Sequence, residues 1–168
     1  MSDQIAFIGG GNMAYALAIG LLRTESPPNV IVADPIASQR DRFTNSEINT
    51  TSNNKRAVSG ADVIVLAVKP KIVRSVVLEI APLITDQLVL SIAAGIPLHA
   101  LNAWFGETAS IVRCMPNTPA LIGAGISGLV RNMRTSDIQA ALAHRILGCA
   151  GDVLWFEEEA DLDAVTAI

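Results

Sequence analysis

Cysteine and histidine are scarce in this chain, whose 168 residues hold only Cys114 and Cys149 with His99 and His144. The cysteines show no C-x-x-C spacing and the histidines form no ligand cluster with them, which argues against a metal site. Both thiols are read as buried groups of a cytosolic protein, not as a disulfide. Excess positive charge is missing too: 12 Lys and Arg stand against 16 Asp and Glu, giving a formal charge of -4. Nucleic-acid and membrane-surface partners need clustered basic residues, and here these are scattered, so any bound phosphate must be held locally. No stretch reaches the roughly 18 apolar residues of a membrane span. The pattern enters a strand by residue 5, which leaves no room for a secretory core, and a cytoplasmic location is expected. Repeats, low-complexity linkers and charge blocks are lacking as well. What remains, 51% hydrophobic and 17% charged residues, fits one ordinary domain around a buried sheet.

The most informative stretch runs Ile5-Ala6-Phe7-Ile8-Gly9-Gly10-Gly11-Asn12-Met13-Ala14. A parallel strand buried on both faces reads as a continuous apolar run, and Gln4 to Ile8 does so before breaking into glycines and opening a helix. The spacing G-x-G-x-x-A is that of a dinucleotide-binding turn. Gly9 allows the tight turn, Gly11 removes a side chain that would keep the backbone from a pyrophosphate, and Ala14 lets the helix pack closely on the strand. The phosphate charge would meet the unpaired N–H groups and partial positive charge of the helix N-terminus.

Strands and helices alternate from there on. A helix from Met13 to Arg23 ends before Pro27-Pro28, and Asn29 to Asp34 forms a second strand. A helix near Ser38 to Phe43, a short strand near Ile48 to Thr51 and a strong apolar run from Asp62 to Val68 follow. Lys69-Pro70 stops that run; a helix from Ile72 to Ile80, a strand from Leu88 to Ile92, a helix from Pro97 to Trp104 and a strand from Ser110 to Met115 continue the pattern. Ile126 to Val130 and Asp152 to Phe156 read as two more strands around a helix from Ser136 to Leu147. Parallel strands need crossovers, so the expected fold is α/β, a doubly wound, Rossmann-like, mainly parallel sheet of about eight strands with helices on both faces. Residues 1–157 make a dinucleotide-binding domain on this reading, and 158–168 open a helix, with Glu157-Glu158-Glu159 favourably in its first turn. The pattern stops part-way through that helix, and more chain is expected to follow.

Three further stretches fall where strands of such a sheet end, which is where a cofactor would lie. Ala67-Val68-Lys69-Pro70 brings a lysine that can meet a phosphate, a ribose hydroxyl or a substrate, or else simply stand in solvent. Ser91-Ile92-Ala93-Ala94-Gly95-Ile96-Pro97 has small residues that admit a flat ring or a phosphate close to the backbone, or serve only as a turn. In Arg113-Cys114-Met115-Pro116-Asn117-Thr118-Pro119-Ala120 the prolines should present Asn117 and Thr118 rigidly. Cofactor choice is expected at the end of the second strand. Asp34 there suits the ribose 2′-hydroxyl of NAD, whereas Ser38 or Arg40, if Pro35 turns Asp34 away, suits the 2′-phosphate of NADP; Arg42 follows on the same segment.

In this order, IAFIGGGNMA, Asn54, LAVKP, SIAAGI and VRCMPNTPA together resemble pyrroline-5-carboxylate reductase over essentially the whole chain. The resemblance implies hydride transfer from NADPH, or alternatively NADH, to the cyclic imine 1-pyrroline-5-carboxylate, giving L-proline. By motif it implies that Gly9, Gly11, Asn12, Met13 and Ala14 cradle the pyrophosphate and that Asn54 lies by the adenosine ribose. Ala67, Val68, Lys69 and Pro70 would border the nicotinamide ribose and ring, Ala93, Ala94 and Gly95 would help place the nicotinamide, and Met115, Pro116 and Asn117 would close its face near the substrate. In that family a second, mostly helical domain follows, makes an intertwined dimer and supplies much of the substrate pocket. Its serine- and glycine-rich opening would come directly after Thr166-Ala167-Ile168 and is not in the sequence. No catalytic proton donor is therefore assigned. The chain is expected to bind cofactor, to reduce substrate poorly and to be a monomer, where its parent is a homo-oligomer. Two other readings stand beside this one. A β-hydroxyacid dehydrogenase-like oxidoreductase shares the glycine fingerprint but fits MPNTPA less well, and a non-catalytic NAD(P)-binding module would need no second domain.

Overall fold

The computed structural model of the chain describes residues 3–165. Its strands are β1 (Gln4–Ile8), β2 (Asn29–Ala33), β3 (Asn49–Thr51), β4 (Val63–Leu66), β5 (Leu88–Ser91), β6 (Ser110–Pro116), β7 (Gly125–Arg131) and β8 (Gly151–Trp155). The helices are α1 (Asn12–Leu22), α2 (Ala37–Asp41), α3 (Asn54–Val58), α4 (Pro70–Ile80), α5 (Leu98–Trp104), α6 (Asp137–Gly148) and α7 (Glu159–Val165). All eight strands join one sheet in the order β3-β2-β1-β4-β5-β6-β7-β8. The first six pair in parallel, β7 runs antiparallel to β6, and β8 is parallel to β7. This is the doubly wound architecture that the alternating apolar runs predict.

Side chains alternate between two cores because successive residues of a strand point to opposite faces. On one face Phe7, Val32, Val65, Leu90 and Val112 meet α1 and α6 through Leu17, Leu21, Ile146 and Leu147. On the other, Ile8, Ile64, Leu66, Val89 and Ile111 meet α3, α4, α5 and α7 through Val58, Val77, Leu101 and Leu162. Central strands buried on both sides must be apolar, as β4 is throughout and β1 is from Ile5 onward.

Several details differ from the sequence expectation. The short helix α3, capped by the Asn53 side chain on the Arg56 N–H, was not anticipated. The helix expected to reach Phe43 ends at Asp41; Phe43 is instead fully buried and packs against Tyr15, ring centroids 5.3 Å apart. Residues 118–122 close into a 3₁₀ turn, for which no element was expected. Cys114 is buried as expected, and desolvation pushes its thiol far up, but Cys149 is only partly buried. Burial pushes the Cys149 thiol up to about 11, against the lowering effect of a backbone hydrogen bond. Both thiols are free. The helix expected over 158–168 is seen as α7; residues 166–168 lie outside the described residues.

Candidate functional site

Crossovers leave β1 towards β2 on one side and reach β4 on the other, so the sheet reverses its winding between β1 and β4. A crevice opens there at the carboxyl ends of the strands, and such crevices take ligands in open α/β sheets. The glycine turn sits at its centre. Gly9 has φ of 104°, and a Cβ there would come within 2.5 Å of the Ala67 carbonyl oxygen, so the first glycine allows both the turn and the close approach of the two strand ends. Gly11 differs: its φ of -69° suits any residue, and among the described residues a Cβ would meet nothing within 4 Å. The space above it is open. Gly11 is also the N-cap of α1, and among the described residues no side chain caps that helix and no acid stands in its first turn. The first N–H groups of an 11-residue helix thus face the crevice without a built-in acceptor. Asn12 is exposed, Met13 half-buried, and Ala14, at 1% exposure, seats α1 on the sheet.

At the end of β2, Asp34 does not offer its carboxylate to the crevice. It is 9% exposed; Oδ2 accepts the Gly10 N–H at 2.8 Å and Oδ1 accepts the Ile36 N–H at 2.9 Å. Arg40 is turned back as well, donating to the carbonyls of Asp34 and Pro35 at 2.7 and 3.0 Å. The two residues brace the loop. Pro35 and Ser38 are exposed beside them. Arg42, on the same segment, lays its guanidinium over the Tyr15 ring, 4.8 Å from the centroid, and donates to the Gly10 carbonyl at 3.3 Å. That places an exposed cation directly beside the glycine turn. Tyr15 and Arg42 were not singled out as partners by the sequence, because their 27-residue separation closes only through the fold.

The other expected residues gather along the same edge. Asn54 opens α3, where its amide donates to Glu79 of α4 at 3.0 Å. Ala67 and Val68 are half-buried after β4, the Ala67 N–H bonding the Ile8 carbonyl at 2.8 Å, while Lys69 and Pro70 are exposed at the start of α4. Ala93 is buried; Ala94 and Gly95 are exposed in the turn after β5, with Gly95 at φ of 71°. Met115 and Pro116 end β6, half-buried. Asn117 is exposed, and its Oδ1 accepts the Ile126 N–H at 2.9 Å, so that oxygen braces β7. Thr118 is exposed as expected.

Two polar groups behind this edge were not anticipated. Ser91 is fully buried at the end of β5, and among the described residues its hydroxyl has no hydrogen-bond partner. In register beside it on β6, Arg113, 2% exposed, pairs with Glu159 of α7 at 2.7 Å. The charged run at 157–159 was the only sequence signal for this pair.

The arrangement has close counterparts. A pyrroline-5-carboxylate reductase of Pseudomonas aeruginosa is 46% identical over 171 residues, covering 99% of this chain and 62% of the relative. A solved pyrroline-5-carboxylate reductase of Coxiella burnetii superposes with a TM-score of 0.95 at 34% identity, covering all of this chain and 64% of that one. The pyrroline carboxylate reductase of Plasmodium falciparum, solved with NADP bound, gives 0.86 at 29% identity, covering 99% of this chain and 62% of that one. The chain thus spans about three-fifths of the length of the relatives it matches. Residues 4–95, which build the glycine turn and the ends of β1, β2, β4 and β5, match the protein family described as NADP oxidoreductase, coenzyme F420-dependent, and the chain belongs to that family.

Proposed function

We propose that this chain is the NADPH-binding part of a pyrroline-5-carboxylate reductase, which reduces 1-pyrroline-5-carboxylate to L-proline. The observation that carries the reading is the uncapped start of α1 at the winding reversal, with open space above Gly11. A pyrophosphate fits what this cradle lacks: an anion for the helix N-terminus and a ligand that tolerates close backbone. The N–H groups from Gly11 to Ala14 would hold it. The bound cofactor supplies the hydride, while the protein supplies position and electrostatics.

NADPH is favoured over NADH by the inward turn of Asp34. Its two oxygens already accept backbone N–H groups, so it neither recruits the ribose 2′-hydroxyl nor faces a 2′-phosphate. Ser38 and the Arg42 guanidinium would meet that phosphate, whereas Arg40 holds the loop. Asn54 would lie by the adenosine ribose, and residues 67–70, 93–95 and 115–117 would flank the nicotinamide. Residues 1–157 are the cofactor domain on this reading, with 158–168 leading into a further helical part that makes the homo-oligomer. The protein works in the cytoplasm on a small-molecule substrate without nucleic-acid or membrane partners; no helix among the described residues is long and apolar enough to cross a membrane.

A fluorescence titration with NADPH and NADH at one ionic strength tests the cofactor reading. Saturable binding, about tenfold or more tighter for NADPH, is the expected result. A folded chain that binds neither nucleotide overturns it, and tighter NADH overturns the 2′-phosphate assignment. Fusing the chain to the remaining carboxy-terminal part of the Pseudomonas relative and following loss of NADPH absorbance tests the reaction. Turnover should need pyrroline-5-carboxylate, be far faster in the fusion than in the chain alone, and not occur with a 3-hydroxyacid and NADP.

A further inference from the structure

The turn after β5 is fixed at its two ends by different means. At its start the Ile92 N–H bonds the Leu66 carbonyl at 3.1 Å, an ordinary extension of the sheet. At its other end α5 begins at Leu98 behind Pro97, whose side chain has no acceptor with which to cap a helix. The Leu98 N–H is instead taken at 2.7 Å by Oε1 of Glu159, 61 residues further along. The same oxygen accepts from the Arg113 guanidinium at 2.7 Å. One carboxylate therefore joins β6, α5 and α7. The Arg113 side chain is 3% exposed and that of Glu159 26%, so the tie is shielded from water and stronger than a surface pair. Three residues beyond Glu159, Leu162 sits against β7 where Gly128 leaves a notch, since a Cβ there would overlap Leu162 Cδ1. The helix is thus pegged by an apolar contact and tied by a polar one.

We infer that Arg113 and Glu159 are positioning residues for the turn at 92–97, and that through them the docking of α7 sets the nicotinamide end of the cofactor site. The inference rests on the cofactor reading above. It differs from a general stabilising role in what it affects. Among the described residues no hydrogen bond or ion pair joins the glycine turn, Asp34 or Arg42 to Glu159, whose carboxylate is held by Leu98 and Arg113, so the adenosine-phosphate half of the site should be indifferent to it. The half bordered by Ala93, Ala94 and Gly95 should not. Because coupling between two events is reciprocal, a full-length cofactor should also steady α7.

The test compares NADPH with 2′,5′-ADP, which carries the 2′-phosphate but no nicotinamide, on the 168-residue chain. Glu159→Ala takes a close carboxylate partner from the buried Arg113 guanidinium and risks unfolding. The double variant Arg113→Met/Glu159→Leu replaces the pair with apolar side chains of similar size and removes the acceptor for Leu98. In the double variant NADPH should bind about tenfold more weakly, a typical size for coupling carried through a packed contact, while 2′,5′-ADP binds as to the parent chain. The Leu98 amide should exchange faster with deuterium. Glu159→Gln, which keeps the acceptor and loses the charge, should recover part of the NADPH affinity, and Glu158→Ala at the exposed neighbour should behave as the parent. Equal loss for both nucleotides would mean that the pair only stabilises the fold, and unchanged NADPH binding would mean that it positions nothing; either overturns the inference alone. Failure of the parent chain to bind NADPH and 2′,5′-ADP overturns the cofactor reading, and the inference with it.

Discussion

The turns after β2 and β5 flank the same crevice and are held in opposite ways. The first is braced from within its own neighbourhood: Asp34 reaches Gly10 and Ile36, and Arg40 reaches the carbonyls of Asp34 and Pro35. The second is braced from the far end of the described chain, by Glu159 on Leu98 with Arg113 behind it. Local bracing makes the β2 turn a property of the βαβ unit that contains it. Remote bracing makes the β5 turn a property of the completed sheet, because it forms only after β6, β7 and β8 have brought α7 into place. The difference divides the crevice into a half that is set early in the chain and a half that waits for its end.

The largest effect expected is from Gly9→Ala, which attacks the platform common to both turns. The positive φ and the overlap with the Ala67 carbonyl should together cost about 4 kcal/mol, measured as a fall in the urea midpoint at unchanged slope. Loss of under about 1 kcal/mol would mean that β1 and β4 can part without harm. Asp34→Ala breaks the local brace alone. It strands the buried Gly10 N–H and should cost about 2 kcal/mol while leaving deuterium exchange at Leu98 unchanged. Faster exchange at Leu98 in this variant would show that the two turns are coupled and the contrast false. Gly11→Ala is the mildest in stability, at no more than about 1 kcal/mol from a poorer helix cap, because nothing among the described residues fills that space. Its effect should fall on NADPH, with affinity down tenfold or more; an unchanged affinity would place the pyrophosphate elsewhere.

The same division explains what could be read from the amino-acid order. Every strand was located to within about two residues, most plainly the central β4 and β5, where burial on both faces leaves little choice of side chain; the edge strands β3 and β8 are largely exposed and carry no such run. The helix α3 escaped because Asn54-Lys55-Arg56-Ala57-Val58 is too short and too polar to show a period, although Asn53 was an available cap signal. The antiparallel turn of β7 also had a signal: residues 117–124 are too few for the crossover that parallel pairing requires. The glycine turn was legible because its chemistry is written in consecutive residues. Asp34 was recognised as the residue that bears on cofactor choice, but its orientation depends on two backbone N–H groups that only the folded loop supplies. Arg42 over Tyr15 left no trace in local pattern, and the charged run at 157–159 marked Glu159 without naming Arg113 as its partner, because each pair joins residues far apart in the chain.

Glu159 and Leu162 are three positions apart and so lie on one side of α7, one tied to Arg113 and the other seated in the notch at Gly128. Sliding the helix by a single residue would turn it by about 100° and shift it by about 1.5 Å, which would pull both contacts out at once. The sheet therefore accepts α7 in one register only, as a lock with two wards accepts one key. Whatever the helix carries leaves the sheet in a fixed direction, and the angle of that departure is decided by a glycine on one strand and an arginine on its neighbour.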